Sequence, residues 1–455
     1  MSIRIYCPTG AFGLGFLDSS LERAVSMKPD VIACDGGSTD SGPFYLGAGQ
    51  PKMSREALVR DLRRLLVARD RLQVPLIIGS CGTSGIDAMV DMMRDLAVEL
   101  ACELGLSFRL ATIHGEQDRE ETAARFDRGC IQALPGAPSI TRDDILACEH
   151  IVGMMGVEPI QAALEGGADV VLAGRATDTA LFAAMPLMRG LPPGPVWHCA
   201  KTIECGAICS TKPVGDGVIA DIDETGFEVE PASLEAACTP LGIAAHTLYE
   251  NADPILIHEP GGTLNTGGAL YTALDSRRTR VEGSTFEHAP CTIKLEGSAL
   301  GGYQTIAIGG VRDPLILRQL ESWTDGMMAF FDTRVKELTG LTLGKEVLID
   351  ISFYGRDAVM GKTEPLAGEV GHEVGMLFTV TAPTQKLANT VCRFVTHMGS
   401  HWSIPEWDGF ISAIAFPFSP PEIDRGPVYR FKLHHVATDI RPDELFRTQF
   451  EEVGR

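Results

Sequence analysis

A run of small polar residues, Gly79-Ser80-Cys81-Gly82-Thr83-Ser84-Gly85, follows one apolar stretch and opens a helical one. Glycine lets a backbone approach a ligand closely, and free N–H groups at a helix start favour negative charge. With Gly82 in the turn and hydroxyls on Ser80, Thr83 and Ser84, the run predicts a cradle for a carboxylate or phosphate. Helix capping by Ser84, with the glycines making a tight turn, uses the same residues without any ligand. No Lys follows the glycines and the dinucleotide-binding spacing is missing, so neither nucleotide motif applies. A second loop, Gly174-Arg175-Ala176-Thr177-Asp178, offers a guanidinium whose planar fork matches a carboxylate. Asp178 there either locks Arg175 or starts the next helix.

Three carboxylates are candidates for proton transfer. Asp35 ends an apolar stretch in Asp35-Gly36-Gly37-Ser38-Thr39-Asp40, where it could act as a base or metal ligand, or simply bond the turn backbone. Glu116 lies in His114-Gly115-Glu116-Gln117-Asp118, beside an imidazole suited to proton exchange near neutrality. Glu204 stands between Ile203 and Cys205, and burial there would raise its pKa toward that of a useful acid or base. Cys205 reads better as structural than as a nucleophile, since nothing in the sequence depresses its pKa. No cofactor follows from the sequence. A divalent metal on the acidic loops could replace an acid, but no ligand spacing demands one.

The elements that must position these loops alternate. Apolar strands at Ile3–Cys7, Asp30–Cys34, Val74–Ile78, Ser107–Ile113 and Gly167–Ala173 are separated by helical stretches, including Ser54–Arg71 and Ile86–Leu104. That rhythm predicts an α/β fold: a doubly wound, mostly parallel sheet in the N-terminal half. Right-handed crossovers then bring every strand-to-helix loop to the carboxyl edge, where ligands bind. The second half is richer in β, with strands expected at Phe286–Leu295, Tyr303–Gly309, Glu346–Ile351, Gly375–Ala382 and Val428–His434. Helices are expected there at Pro314–Leu338 and Thr384–Gly399. This reads as an α+β domain. A stretch rich in Gly, Pro and Asn sets the expected boundary, giving an α/β domain over 1–250 and an α+β domain over 251–455.

Composition narrows the function classes. Of the 455 residues, 45% are hydrophobic and 22% charged, enough to bury sizeable cores. The formal charge of −21, without a Lys/Arg run, argues against nucleic acid. No apolar run is long enough to span a membrane. The twelve cysteines show no paired rhythm. With a strand-like start rather than a signal peptide, they suggest a cytoplasmic protein. An anionic substrate would need a local positive pocket in so acidic a chain.

Three pieces together carry a family likeness: Ala168-Asp169-Val170-Val171-Leu172-Ala173-Gly174-Arg175-Ala176-Thr177-Asp178, Thr202-Ile203-Glu204-Cys205-Gly206-Ala207 and Tyr249-Glu250-Asn251-Ala252-Asp253-Pro254. In order and spacing they resemble the acyclic terpene utilisation (AtuA-like) family. The resemblance implies a part in the catabolism of branched or carboxylated acids. It also implies a small ferredoxin-like companion protein, separate or fused. It supplies no set of catalytic residues.

These readings lead to an expected function, a lyase of the hydratase/dehydratase type or an isomerase. It would act on a small anionic substrate, a di- or tricarboxylic acid. Asp35, Glu116 and Glu204 would move protons, and Ser80, Gly82, Thr83, Ser84, Arg175 and Asp178 would hold the substrate. One alternative is a CoA-thioester enzyme of acyclic terpene or branched-acid breakdown, using the glycine loops for phosphates. Another is a non-catalytic binding subunit. An oligomer is expected in each case.

Overall fold

A computed structural model describes all residues except 249, 250, 252, 408–411 and 455. Three positions of the Tyr249–Pro254 piece therefore lie outside the described residues. The chain forms two compact units, residues 1–299 with 430–455, and residues 300–429.

The first unit is built on a ten-stranded sheet. Its centre is five strands: β1 (Ile3–Cys7), β2 (Val31–Asp35), β3 (Leu76–Gly79), β4 (Phe108–His114) and β5 (Val170–Ala173). They lie in the order β1-β2-β3-β5-β4, and every neighbour among them is parallel. Side chains alternate between two cores, as strand geometry requires. Ile5, Val31, Ala33, Ile77, Val171 and Ile113 face one core, while Tyr6, Ile32, Cys34, Ile78 and Leu172 face the other. Helices Arg55–Leu72 and Asp87–Leu104 pack on the second face; Ala180–Met188 and Pro193–Ile203 pack on the first. The fold is α/β, with a parallel sheet covered on both faces, and the loops after all five strands leave at one edge.

Both flanks of the sheet are antiparallel. A hairpin, Val218–Ile222 with Gly226–Pro231, pairs against β1, and a second, Leu270–Ala273 with Thr279–Glu282, continues from it. On the other flank Arg447–Val453 pairs with β4. Residues 251–299 pack in this first unit because their strands extend its sheets. The strand expected over Phe286–Leu295 is two strands, Thr285–His288 and Ile293–Val311. Pro290 lies between them and has no N–H to give to a ladder.

The second unit is antiparallel. Val374–Ala382 pairs on one side with Leu348–Tyr354 and on the other with Tyr303–Val311. Helices Leu320–Thr339 and Gln385–Ser400 share its core through Trp323, Met327, Phe331, Val391 and Val395. The helix expected over Pro314–Leu338 is interrupted, because Asp313 caps a single turn, Pro314–Leu317, before the long helix begins at Leu320. No helix among the described residues is long and apolar enough to cross a membrane.

Candidate active site at the carboxyl edge of the sheet

The loops after β1, β2 and β5 converge on a cavity of about 380 Å³ in the first unit. Asp35 and Asp178 both line it, as do Asp40, Lys52 and Asp216. Asp35 is 2% exposed. One of its oxygens, Oδ2, accepts from the Gly37 amide at 2.5 Å, while Oδ1 is buried with no hydrogen-bond partner. Burial and the neighbouring Asp178 push its pKa well up, against the pull of Arg175. Burial also pushes Asp178 up, opposed by Arg175 and Lys201. Two carboxyls on one cavity, each with its pKa raised, are able to hold and release a proton.

Arg175 sits behind this pair, 3% exposed. Its Nε donates to Glu296 Oε2 at 3.1 Å. Its Nη1 donates to Ser80 Oγ at 3.1 Å and to the Ala176 carbonyl at 3.0 Å, and lies 3.4 Å from Asp178 Oδ1. Glu296 is also held by Lys294 Nζ at 2.8 Å and by Thr39 Oγ1 at 3.1 Å. Burial alone would raise Glu296, but Arg175 and Lys294 outweigh it and hold it at about 2. Two of the guanidinium nitrogens, Nε and Nη1, are thus occupied by internal acceptors. The guanidinium organises the carboxylates around it, including Asp178, which faces the cavity.

Glu204 lies deeper, 3% exposed, and is hydrogen-bonded to Lys201 one helical turn earlier. Burial raises it to about 8, with Asp178 adding to the effect and Lys201 opposing it. Glu259 is close in character. Burial raises it to about 7, and Oε2 accepts from Thr179 Oγ1 at 2.6 Å, next in chain to Asp178. Its cavity-side neighbour in sequence terms is therefore Asp178, which both glutamates feel as a like charge. Because the folded pKa of Glu204 exceeds its unfolded value, its contribution to stability is full below about pH 4.3 and is lost as pH rises through about 8. Glu204→Gln should flatten that slope by on the order of 2 kcal/mol between pH 5 and 8, read by urea denaturation at both pH values. An unchanged slope would show that Glu204 is ionised throughout.

The 79–85 loop joins this arrangement through the Ser80 hydroxyl on Arg175 and through bonds to the neighbouring loops. The Ser80 and Cys81 amides donate to the Gly174 and Ala173 carbonyls at 3.0 and 3.1 Å, and the Thr83 and Gly85 amides donate within the loop. Thr83 Oγ1 donates to the Gly36 carbonyl at 2.9 Å, and Ser84 Oγ is buried without a partner. Gly82 packs on Met89, and a Cβ at Gly85 would lie 2.1 Å from the Arg175 amide. Ser80 and Thr83 have φ of 45° and 80°, a strained choice for side chains with a Cβ. The loop clamps β3 to the Arg175 turn. The glycines after β1 are similarly committed, since the Gly13 and Gly15 amides both donate to buried Asp61.

Glu116 stands apart from the cluster. Its Oε2 accepts from the Asp87 amide at 3.1 Å, capping a helix, and Asp87 Oδ1 accepts from the Glu116 amide at 3.0 Å. Its Oε1 bonds His150 Nδ1 at 2.6 Å. Burial would raise its pKa, but His150 outweighs that and lowers it. Among the described residues no group of three or more His, Cys, Asp or Glu side chains is placed to hold a metal ion.

Residues 49–189 match the model of the acyclic terpene utilisation family protein AtuA. That segment, less than half of the chain, is similar to the AtuA family. Neither a curated protein nor a solved structure matches the chain. The AtuA-like segment contains Ser80, Gly82, Thr83, Ser84, Glu116, Arg175 and Asp178, while Asp35 and Glu204 fall on either side of it. Glu296, Lys294, Lys201, Glu259 and Asp216 were not foreseen. Lys201 and Glu204 had a readable signal, an i,i+3 pair in a helical stretch. Glu296 had none, because 121 residues separate it from Arg175. A larger cavity, about 1140 Å³, lies in the second unit against Arg312, Arg318 and Arg356, but none of the site candidates line it.

Proposed function

We propose that this chain is a catabolic enzyme that moves a proton on a small carboxylic acid, of the hydratase/dehydratase or isomerase type. The observation that carries the reading is the Asp35–Asp178 pair, two protonatable carboxyls lining one cavity, with Asp35 Oδ1 buried and without a hydrogen-bond partner. A carboxyl whose pKa is raised can hold a proton near neutral pH and release it to a departing hydroxyl or a carbanion. Glu204 and Glu259, behind Asp178, supply further carboxyls that change charge near neutrality. The CoA-thioester alternative relied on glycine loops to hold phosphates, and the occupied amides at 13, 15, 80, 81, 83 and 85 weigh against it. A cytoplasmic location, an oligomeric state and a ferredoxin-like companion complete the proposal.

The test is solvent exchange of substrate C–H followed by NMR in deuterated water. The panel consists of small hydroxy, keto and unsaturated acids and their CoA esters. Exchange with a free acid is the expected result. Exchange confined to thioesters would transfer the proposal to the alternative. Binding without exchange would make the chain a binding subunit and overturn the catalytic reading.

A further inference from the structure

The walls of the 380 Å³ cavity are unevenly charged. Asp35, Asp40, Asp178 and Asp216 present four carboxylates, and Lys52 is the cation among the lining residues. Lys52 is exposed and makes none of the hydrogen bonds or ion pairs found among the described residues. Asp216 is 6% exposed. Its Oδ2 accepts from Ser20 Oγ at 2.5 Å, and its Oδ1 is buried without a partner, as Asp35 Oδ1 is. Two buried carboxylate oxygens without donors, in one cavity, are costly unless a ligand supplies the donors. A hydroxyl does so without adding charge. An anionic group finds the one cation of the lining residues at Lys52 and meets acidic side chains elsewhere.

We propose that the cavity takes a hydroxy acid with a single anionic end, held by Lys52 at the rim, whose hydroxyl donates to Asp35 or Asp216 inside. This rests on the reading of the cavity as the active site, and it narrows the substrate class from two or three carboxylates to one. The positive element expected from Arg175 is absorbed by Glu296 and Asp178, which leaves Lys52 to recognise the anion.

Calorimetric titration of the full chain tests it with four probes: 3-hydroxybutyrate, butyrate, malate and citrate. The expected order is 3-hydroxybutyrate tightest, with butyrate, malate and citrate each weaker. Lys52→Ala should weaken 3-hydroxybutyrate about tenfold, the scale of one charge-assisted contact, and Lys52→Arg should restore most of it. Asp216→Asn should weaken 3-hydroxybutyrate more than butyrate. Because Lys52 is exposed and unpaired, its variants keep the fold and the test stands even where Asp216→Asn does not. Tighter binding of malate or citrate, an indifferent Lys52→Ala, or no binding of any probe would overturn the proposal. The proton-transfer reading fails separately: 3-hydroxybutyrate that binds through Lys52 without C–H exchange sinks the enzyme and leaves the ligand class standing. Malate that binds and exchanges does the reverse.

Discussion

Arg175→Ala should destabilise the first unit by about 3–5 kcal/mol at pH 7, the cost of leaving buried carboxylates without their partner. Glu296 is 1% exposed and would keep only Lys294 and Thr39; Asp178 would lose its nearest cation. Ser80 Oγ would lose a donor, leaving the β3 and β5 loops joined by their backbone bonds. The pH dependence identifies the cause. Glu296 is held at about 2, below its unfolded value of about 4.3, so its ion pairs stabilise the fold above that value. That stability is lost as pH falls toward 2. The gap between wild type and Arg175→Ala should therefore narrow on going from pH 7 to pH 3, measured by urea denaturation at each. Arg175→Lys should fall between the two, since it keeps the charge but not the fork that reaches Glu296, Ser80 and Ala176 together. A loss under about 1 kcal/mol at pH 7 would mean the carboxylates take up protons instead of paying for burial.

The same residue shows what the sequence made legible. Gly174-Arg175-Ala176-Thr177-Asp178 was readable as a strand-end loop because a parallel sheet sends all such loops to one edge, whatever their order. By that rule Asp35, Ser80, Arg175 and Asp178 come from three different loops, and three of them meet at one guanidinium or one cavity. The role of each was less legible, because it depends on which partner arrives from far along the chain. Glu296 reaches Arg175 from a strand in the β-rich half and turns an expected substrate clamp into a buried ion pair. Asp61 reaches the loop after β1 from a helix and takes the Gly13 and Gly15 amides. Glu116 looked like a proton carrier by type, and it caps a helix at the Asp87 amide and hydrogen-bonds His150. Residue type and strand position gave the location of the cavity; long-range pairing decided which charges remained free within it.

Asp35→Asn should lower exchange or turnover by about 10²–10⁴-fold while leaving the fold at least as stable at pH 8. The stability argument comes from the two oxygens. Oδ2 accepts the Gly37 amide, and an asparagine carbonyl can keep that bond. The asparagine NH₂ then occupies the position of Oδ1, which is buried and has no donor in wild type. Burial and Asp178 raise the folded pKa of Asp35, so wild-type stability is full below about pH 3.9 and is lost as pH rises through the raised value. Asparagine has no such dependence. The stability difference, variant minus wild type, should therefore grow with pH, the pattern of a site that trades stability for reactivity. Activity responds in the opposite direction, because an amide cannot take up or release the proton. Asp178→Asn separates the pair further: if the two carboxyls share one proton, it should lower the apparent pKa of the remaining Asp35, shifting the pH profile of any residual activity toward acid. Full activity in Asp35→Asn, with the same pH profile as wild type, would remove Asp35 from the chemistry and move the proton carrier to Asp178 or to the glutamates behind it.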